Sequence, residues 1–144
     1  NDIPYDVKSA FGITINHRKT FTGITDDDRS LTIKEFAELA RSAIKQEDGW
    51  GKRELGKHFR APGHVHLLNT TDKILETRFG HTELSTALVI MAGLVPSATV
   101  CEMMGDDGKA LPKDAARDYA GKHGLVYLEG VDVIRAWKEY QRKR

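Results

Sequence analysis

The chain has 144 residues, which is enough for one domain with a buried core and too few for two. Its 40% hydrophobic and 30% charged residues are typical of a globular protein, and no apolar run approaches the ~20 residues that cross a bilayer. A net charge of +1 argues against a nucleic-acid-binding face, and the single cysteine excludes an intramolecular disulfide, so we expect a cytoplasmic protein that binds neither nucleic acid nor membrane.

The first third of the chain contains one clear strand pattern and one clear helix pattern. Apolar residues alternate with other residues over 11–15, which predicts a half-buried strand. Thr32 and Glu35 match a capping box, and the apolar residues that follow at helical spacing predict a helix over residues 32–46. Residues 47–59 show no periodicity and predict a loop.

The rest of the chain alternates between extended and helical patterns that are bounded by turn residues. We predict strands over residues 65–68, 97–104 and 125–128, an extended pair at 74–75, and helices from 82 to a stop at Gly93, from 112 to a stop at Gly124, and from 131 onwards with Ile134 and Trp137 inward. Strands and helices thus alternate, which indicates a mixed α/β layer arrangement. No linker or internal repeat divides the chain, so residues 1–144 are predicted to form one domain.

Residues 78–83, Arg-Phe-Gly-His-Thr-Glu, stand where an extended segment meets a predicted helix start. Backbone N–H groups and the helix dipole favour an anion there, and Arg78 and Thr82 add a planar cation and a hydroxyl suited to phosphate. Gly80 allows close approach of a ligand, and His81 could bind a metal or act as an acid or base. In the alternative interpretation Thr82 only caps the helix and Arg78 is solvated.

Three further positions are candidates for chemistry. Glu102 lies among apolar residues of a predicted strand, where burial would suit proton transfer; alternatively it stands at the strand end and faces water. His64 and His66 share one strand face, so a zinc pair is conceivable, although a polar face near a turn is the simpler interpretation. Thr22 belongs to residues 20–25, whose hydroxyls and glycine could line a polar ligand.

Four motifs in fixed order carry a family resemblance. They are residues 22–29 (Thr-Gly-Ile-Thr-Asp-Asp-Asp-Arg), 60–65 (Arg-Ala-Pro-Gly-His-Val), 78–83, and 101–104 (Cys-Glu-Met-Met) with Asp107 and Gly108. Together they resemble the 3,4-dihydroxy-2-butanone 4-phosphate synthases of riboflavin biosynthesis, and residues 1–5 and 16–20 resemble archaeal, methanogen-type members. The resemblance runs to about residue 140. It implies an α+β fold with a mixed β-sheet flanked by helices, in a homodimer with sites near the subunit interface.

The resemblance also implies an activity and a set of site residues. Members of the family are lyases that convert D-ribulose 5-phosphate into L-3,4-dihydroxy-2-butanone 4-phosphate and formate, with Mg²⁺ or Mn²⁺. The resemblance assigns catalysis to His64 and Glu102 and a metal contact to His81. Substrate binding is assigned to Thr22, Arg78, Phe79, Gly80, His81, Thr82 and Glu102. Phe79 and Phe21 stand where bacterial members more often have Gly and Arg, which affects peripheral contacts.

One family element has no match among the 144 residues. The family carries an acidic loop, Arg-Glu-x-Glu-Gly-Asp/Glu, which supplies a further metal carboxylate and catalytic acids. Residues 26–28 belong to a different motif and do not replace it. We therefore expect the chain to hold a partial domain, the C-terminal part of the site, with upstream residues missing. The alternative is a truncated, non-catalytic paralogue that only dimerises or binds sugar phosphate.

Overall fold

The computed structural model describes residues 11–143, which form two strands in one sheet and five helices. The elements in chain order are β1 (Phe11–His17), α1 (Asp26–Ala43), α2 (Trp50–His58), β2 (Phe59–Leu68), α3 (His81–Met91), α4 (Lys113–Lys122) and α5 (Gly130–Arg142). None of these helices is long and apolar enough to cross a membrane.

The sheet is an antiparallel pair with an irregular stretch in its second strand. Ile15 of β1 pairs with Val65 of β2, but the next residue, Asn16, pairs with Arg60. Residues 61–64 therefore bulge out of the pairing, and they include a cis peptide bond before the proline. A bulge of this kind redirects the side chains beside it, and His64 is one of them.

Helix α1 begins six residues before the predicted start because a different threonine caps it. Thr25 has extended backbone angles, and its hydroxyl accepts a hydrogen bond from the Asp28 N–H at 3.3 Å. The predicted cap, Thr32, is fully buried inside the helix, donates to the Asp28 carbonyl and accepts from the His17 N–H. The acidic run 26–28 is thus the first turn of the helix, where the helix dipole favours negative charge.

Thr25→Ala is expected to lower the free energy of unfolding by about 1 kcal/mol, the usual effect of losing an N-cap hydroxyl. Urea denaturation measures the change, and Thr25→Ser is the matched control because serine keeps the acceptor oxygen. Equal stability of the alanine variant and the unchanged protein would contradict the assignment of the cap.

Helix α2 occupies residues that were predicted to form a loop, and that prediction is wrong. The helix has nine residues, begins after Gly49 and contains two glycines, so its own helical propensity is low. Gly51 faces α1, where an added Cβ would lie 3.5 Å from the Ala43 Cβ. The close approach of these two small residues lets α2 pack on α1. The spacing of apolar residues within 47–59 does not predict this contact.

Helices α3 and α5 enclose an apolar cluster. Its buried members are Leu75, Ala87, Val133 and Trp137. The Trp137 indole N–H donates to the Ile74 carbonyl at 3.1 Å, which anchors the segment before α3. That segment is a turn with Leu75 at φ 57°, not the predicted extended pair.

The class α+β is confirmed, whereas the alternating strand and helix order is corrected. Residues 97–104 and 125–128 form no strand in the described part of the chain, apart from an isolated bridge between Met104 and Ala110. Their side chains are largely exposed, with Val126 85% accessible. An apolar, β-branched run becomes a strand only where a neighbouring strand supplies hydrogen-bond partners. The predicted helices from residues 82, 112 and 131 are confirmed, as are the stops at Gly93 and Gly124.

The buried imidazole of His17 makes stability depend on pH. The ring lies edge-on to Phe59 and accepts a hydrogen bond from the Lys19 N–H. Burial lowers its pKa below the usual 6.5; Lys19 and His58 act in the same direction, and Glu35 opposes them. The unfolded chain therefore binds more protons at acidic pH than the folded chain does.

We expect the free energy of unfolding to fall as pH drops below about 6.5, the unfolded value, and to level off below the folded pKa. Denaturation of the unchanged protein and of His17→Gln across this range provides the measurement. The variant is expected to lose part of the pH dependence. An identical pH profile for both proteins would remove His17 as its cause.

Candidate active site

A cleft of about 600 Å³ brings three of the sequence-predicted site residues together. Its walls come from α1, the end of β2, the start of α3 and residues 96–102. His64, Thr82 and Glu102 all line it, although they belong to three different motifs. The cleft therefore joins predicted site residues that lie up to 38 residues apart in the chain.

Asn16, a residue that the sequence did not single out as a site residue, contacts both the backbone and the ring of His64. The Asn16 side chain is 3% exposed. Its Oδ1 accepts from the His64 backbone N–H at 2.8 Å, and its Nδ2 lies 3.0 Å from His64 Nδ1 and 3.4 Å from the Thr22 carbonyl oxygen. A buried polar residue at the end of an apolar strand needs hydrogen-bond partners. The position of Asn16 in the strand pattern was therefore the feature of the sequence that pointed to a structural role.

The turn that carries Thr22 is held by the carboxylate of Asp28. The backbone N–H groups of Phe21, Thr22 and Gly23 all donate to it, at 3.2, 3.0 and 2.7 Å. The hydrogen bond from Gly23, with those from Phe21 and Thr22, lowers the pKa of Asp28 below its ordinary range. Asp28 therefore acts within the fold of this turn, and Thr22 remains exposed beside it.

Arg78 forms an ion pair with Glu83. Its guanidinium is therefore not simply solvated, and a ligand would share it with this carboxylate. The Arg78 Nη1 lies 2.5 Å from the Glu83 Oε2, and the Glu83 side chain is fully buried. The other oxygen of Glu83 accepts from the Thr71 N–H at 3.3 Å. The guanidinium folds back over Gly80, where an added Cβ would lie 3.1 Å from it. The glycine thus makes room for Arg78, a role that the sequence did not reveal.

The start of α3 departs from the predicted capping. Gly80 is the N-cap and provides no side-chain hydrogen bond, while Thr82 is the second residue of the helix. The interpretation of Thr82 as a cap is therefore wrong. His81, the first helical residue, is exposed, as is Phe79 just before the N-cap. The N–H groups of this first turn have no capping side chain and can receive an anion.

Glu102 stands in an irregular segment and is exposed. The expectation that it lies buried in a strand is wrong, because residues 97–104 find no strand partner in the described structure. Its presence in the cleft with His64 comes from the path of this segment across the end of β2. The neighbouring Cys101 is exposed as well.

The described residues do not by themselves fit a resident metal ion. Over residues 11–143 no three His, Cys, Asp or Glu side chains come together as ligands. His66, the potential second member of a zinc pair with His64, packs edge-on against Phe11 at 6.3 Å between ring centroids. An imidazole such as that of His81 can be one ligand among several.

Comparison with known proteins identifies the family. A family model for 3,4-dihydroxy-2-butanone 4-phosphate synthase matches residues 4–136. Proteins of that name from Methanothermobacter thermautotrophicus and Archaeoglobus fulgidus are 48% and 42% identical over 142 residues, 98% of this chain. The chain spans 59% and 58% of their lengths, so it matches little more than half of each relative.

Solved structures agree with the sequence match. The synthase from Candida albicans superposes with a TM-score of 0.73 and 28% identity, covering 89% of this chain and 60% of that one. A synthase in complex with two magnesium ions superposes with a TM-score of 0.70 and 25% identity, covering 98% of this chain and 64% of that one. Since the family model matches nearly the whole chain and the motifs occur in order, the chain belongs to the 3,4-dihydroxy-2-butanone 4-phosphate synthase family.

Proposed function

We propose that this protein converts D-ribulose 5-phosphate into L-3,4-dihydroxy-2-butanone 4-phosphate and formate in riboflavin biosynthesis. The observation that carries the proposal is the cleft in which His64, Thr82 and Glu102 meet. Enolisation and later rearrangement of the sugar need groups that take and return protons. An imidazole and a carboxylate on the walls of one cleft supply such groups.

His64 and Glu102 are the proposed proton carriers. The substrate phosphate is proposed to lie at the start of α3, against Gly80, His81 and Thr82. The uncapped N–H groups there favour an anion, which supports this placement.

Three flanking side chains complete the proposed substrate site. Arg78 has five N–H donors, so one nitrogen can hold Glu83 while others contact phosphate. Phe79 and Thr22 are proposed to flank the sugar. Both are exposed, so neither is already engaged in the apolar core of the described structure.

A divalent cation, Mg²⁺ or Mn²⁺, is proposed to take part, with His81 as one ligand. The exposure of His81 beside Thr82 supports this role, and the related synthase with two magnesium ions is consistent with it. Such a cation would polarise the sugar carbonyl when bound. Hard cations require further oxygen ligands from carboxylates, substrate or water.

A homodimer in the cytoplasm is the proposed assembly. Large apolar side chains that are exposed in the described chain support an interface, among them Phe21 at 93% and Val131 at 69%. Sedimentation of the purified protein would give a dimer mass, and a monomer at micromolar concentration would contradict this part of the proposal.

Formate release from D-ribulose 5-phosphate tests the function. The protein expressed from its complete reading frame is assayed with Mg²⁺, with Mn²⁺, and after removal of divalent ions with a chelator. We expect turnover with metal that stops on chelation and is abolished in His64→Gln, with His123→Gln as an active control. If the folded protein binds the sugar phosphate but releases no formate, it is the non-catalytic paralogue.

A further inference from the structure

Asn16 occupies an unusual place between two strands of the sheet. It is the first residue of β1 after the register shift, and β2 bulges beside it at residues 61–64. The bulge N–H groups are bound by side chains of β1: Gly63 donates to the Thr14 hydroxyl at 3.1 Å and His64 donates to Asn16 at 2.8 Å. The bulge is thus held by two side chains that alternate along one face of β1.

Two backbone groups determine which way the Asn16 amide points. The His64 backbone N–H can only donate, so the atom of Asn16 that it contacts is the carbonyl oxygen. The Thr22 carbonyl can only accept, so the atom that faces it is the amide nitrogen. The two contacts agree, and an amide flipped by 180° would break both.

The amide orientation in turn determines the tautomer of His64. Asn16 Nδ2 lies 3.0 Å from His64 Nδ1. Because the amide nitrogen has only hydrogens to offer, Nδ1 must accept with its lone pair. A neutral His64 therefore carries its hydrogen on Nε2, the ring nitrogen that Asn16 leaves available.

The turn at Thr22 and Gly23 prevents Asn16 from moving away. Gly23 has φ 92°, and an added Cβ would lie 2.0 Å from Asn16 Nδ2. The turn is itself held by three N–H groups on the Asp28 carboxylate. Asn16 is therefore packed between the turn and the bulge, in van der Waals contact with both.

We propose that Asn16 is a positioning residue that holds His64 as the Nε2–H tautomer in the cleft. This inference rests on the proposed function, in which His64 exchanges protons with the sugar. In the neutral ring the accessible Nε2 bears the hydrogen and donates a hydrogen bond to a sugar oxygen on which charge develops, whereas a ring with the hydrogen on Nδ1 would present a lone pair to the substrate instead. The nature of the residue at position 16 would then decide which proton transfers His64 performs.

Nitrogen-15 spectra of histidine-labelled protein test the tautomer directly. The protein from its complete reading frame is measured at a pH where the ring is neutral, and the His64 signals are assigned by their loss in His64→Gln. We expect a protonated Nε2 and an unprotonated Nδ1. Asn16→Asp replaces the donor by an acceptor of the same shape, so the hydrogen should move to Nδ1. Thr14→Val, which removes the neighbouring bulge contact, should leave the tautomer unchanged.

Steady-state kinetics test the consequence. Asn16→Asp is expected to lower kcat for formate release by roughly 10²–10⁴-fold, the usual contribution of a general acid or base, with KM within a few fold. Thr14→Val should stay close to the unchanged protein. Asn16→Ala provides a second variant if Asn16→Asp does not fold, with mixed tautomers and a similar loss of kcat expected.

The outcomes separate this inference from the proposed function. A hydrogen on Nδ1 in the unchanged protein, or no change of tautomer in the Asn16 variants, would overturn the positioning role whatever the activity. An altered tautomer with unchanged kcat would overturn its functional consequence. A protein that releases no formate but shows the Nε2–H form would refute the proposed function while supporting the geometry.

Discussion

Arg78→Ala is expected to lower the free energy of unfolding by about 3–5 kcal/mol, because it leaves the fully buried Glu83 carboxylate without its cation. This is a large fraction of the stability of a domain of this size. Denaturation in urea measures the loss. A variant as stable as the unchanged protein would show that the ion pair does not form in solution.

A second substitution separates the structural role of Arg78 from its proposed role in substrate binding. Arg78→Ala with Glu83→Gln removes both charges, while glutamine keeps an oxygen for the Thr71 N–H. We expect most of the stability to return. Binding of ribulose 5-phosphate should stay weaker by about ten- to a hundredfold, since a charge-assisted hydrogen bond contributes about 1.5–3 kcal/mol. Unphosphorylated ribulose is the control ligand, and recovery of phosphate-ester binding in the double variant would make Arg78 purely structural.

Glu102→Gln is expected to reduce formate release by about 10²–10⁴-fold, because glutamine keeps the shape of the side chain but cannot carry a proton. The structure sharpens this prediction. Since Glu102 is exposed and lies outside any strand, the free energy of unfolding should change by less than about 0.5 kcal/mol. Loss of activity can then be read without a correction for misfolding.

Asp106→Asn is a matched control for this measurement, because it also neutralises an exposed carboxylate in the same part of the chain. It should retain nearly full turnover. Near-normal turnover of Glu102→Gln would remove this residue from the mechanism. A large loss of stability in the same variant would instead indicate a packing role that the exposed position does not explain.

The helices with strong local signals were predictable from the chain alone. Gly93 and Gly124 have φ of 72° and 63°, backbone values that glycine adopts without a steric penalty, and each ends its helix near the predicted residue. The sequence did not predict helix α2 or the true start of α1, and the reasons differ. Helix α2 depends on its contact with α1. Helix α1 begins with a charged turn, which by composition is typical of a loop.

The predicted site was recovered in part. The order of four motifs identified the family, and three of the predicted site residues line one cleft. Two of the site residues lie in other surroundings than their sequence neighbours predict, since Glu102 is not buried and Thr82 is not a cap. The type of a residue and its sequence neighbours do not determine which distant side chain contacts that residue in the folded protein.

By itself, the sequence determined the helices with glycine stops, the family, the α+β class that the family resemblance implies, and the set of residues worth testing. These depend on periodicity, capping and motif order, all of which act over a few residues or are read directly from the chain. Only the tertiary structure decided that Asn16 binds His64 and that Arg78 pairs with Glu83 across the start of α3. Asn16 and His64 are 48 residues apart, and the bulge that joins them exists only when β2 pairs with β1. Hydrogen bonds and ion pairs of this kind are set by distances of about 3 Å in space, which separation along the chain does not encode.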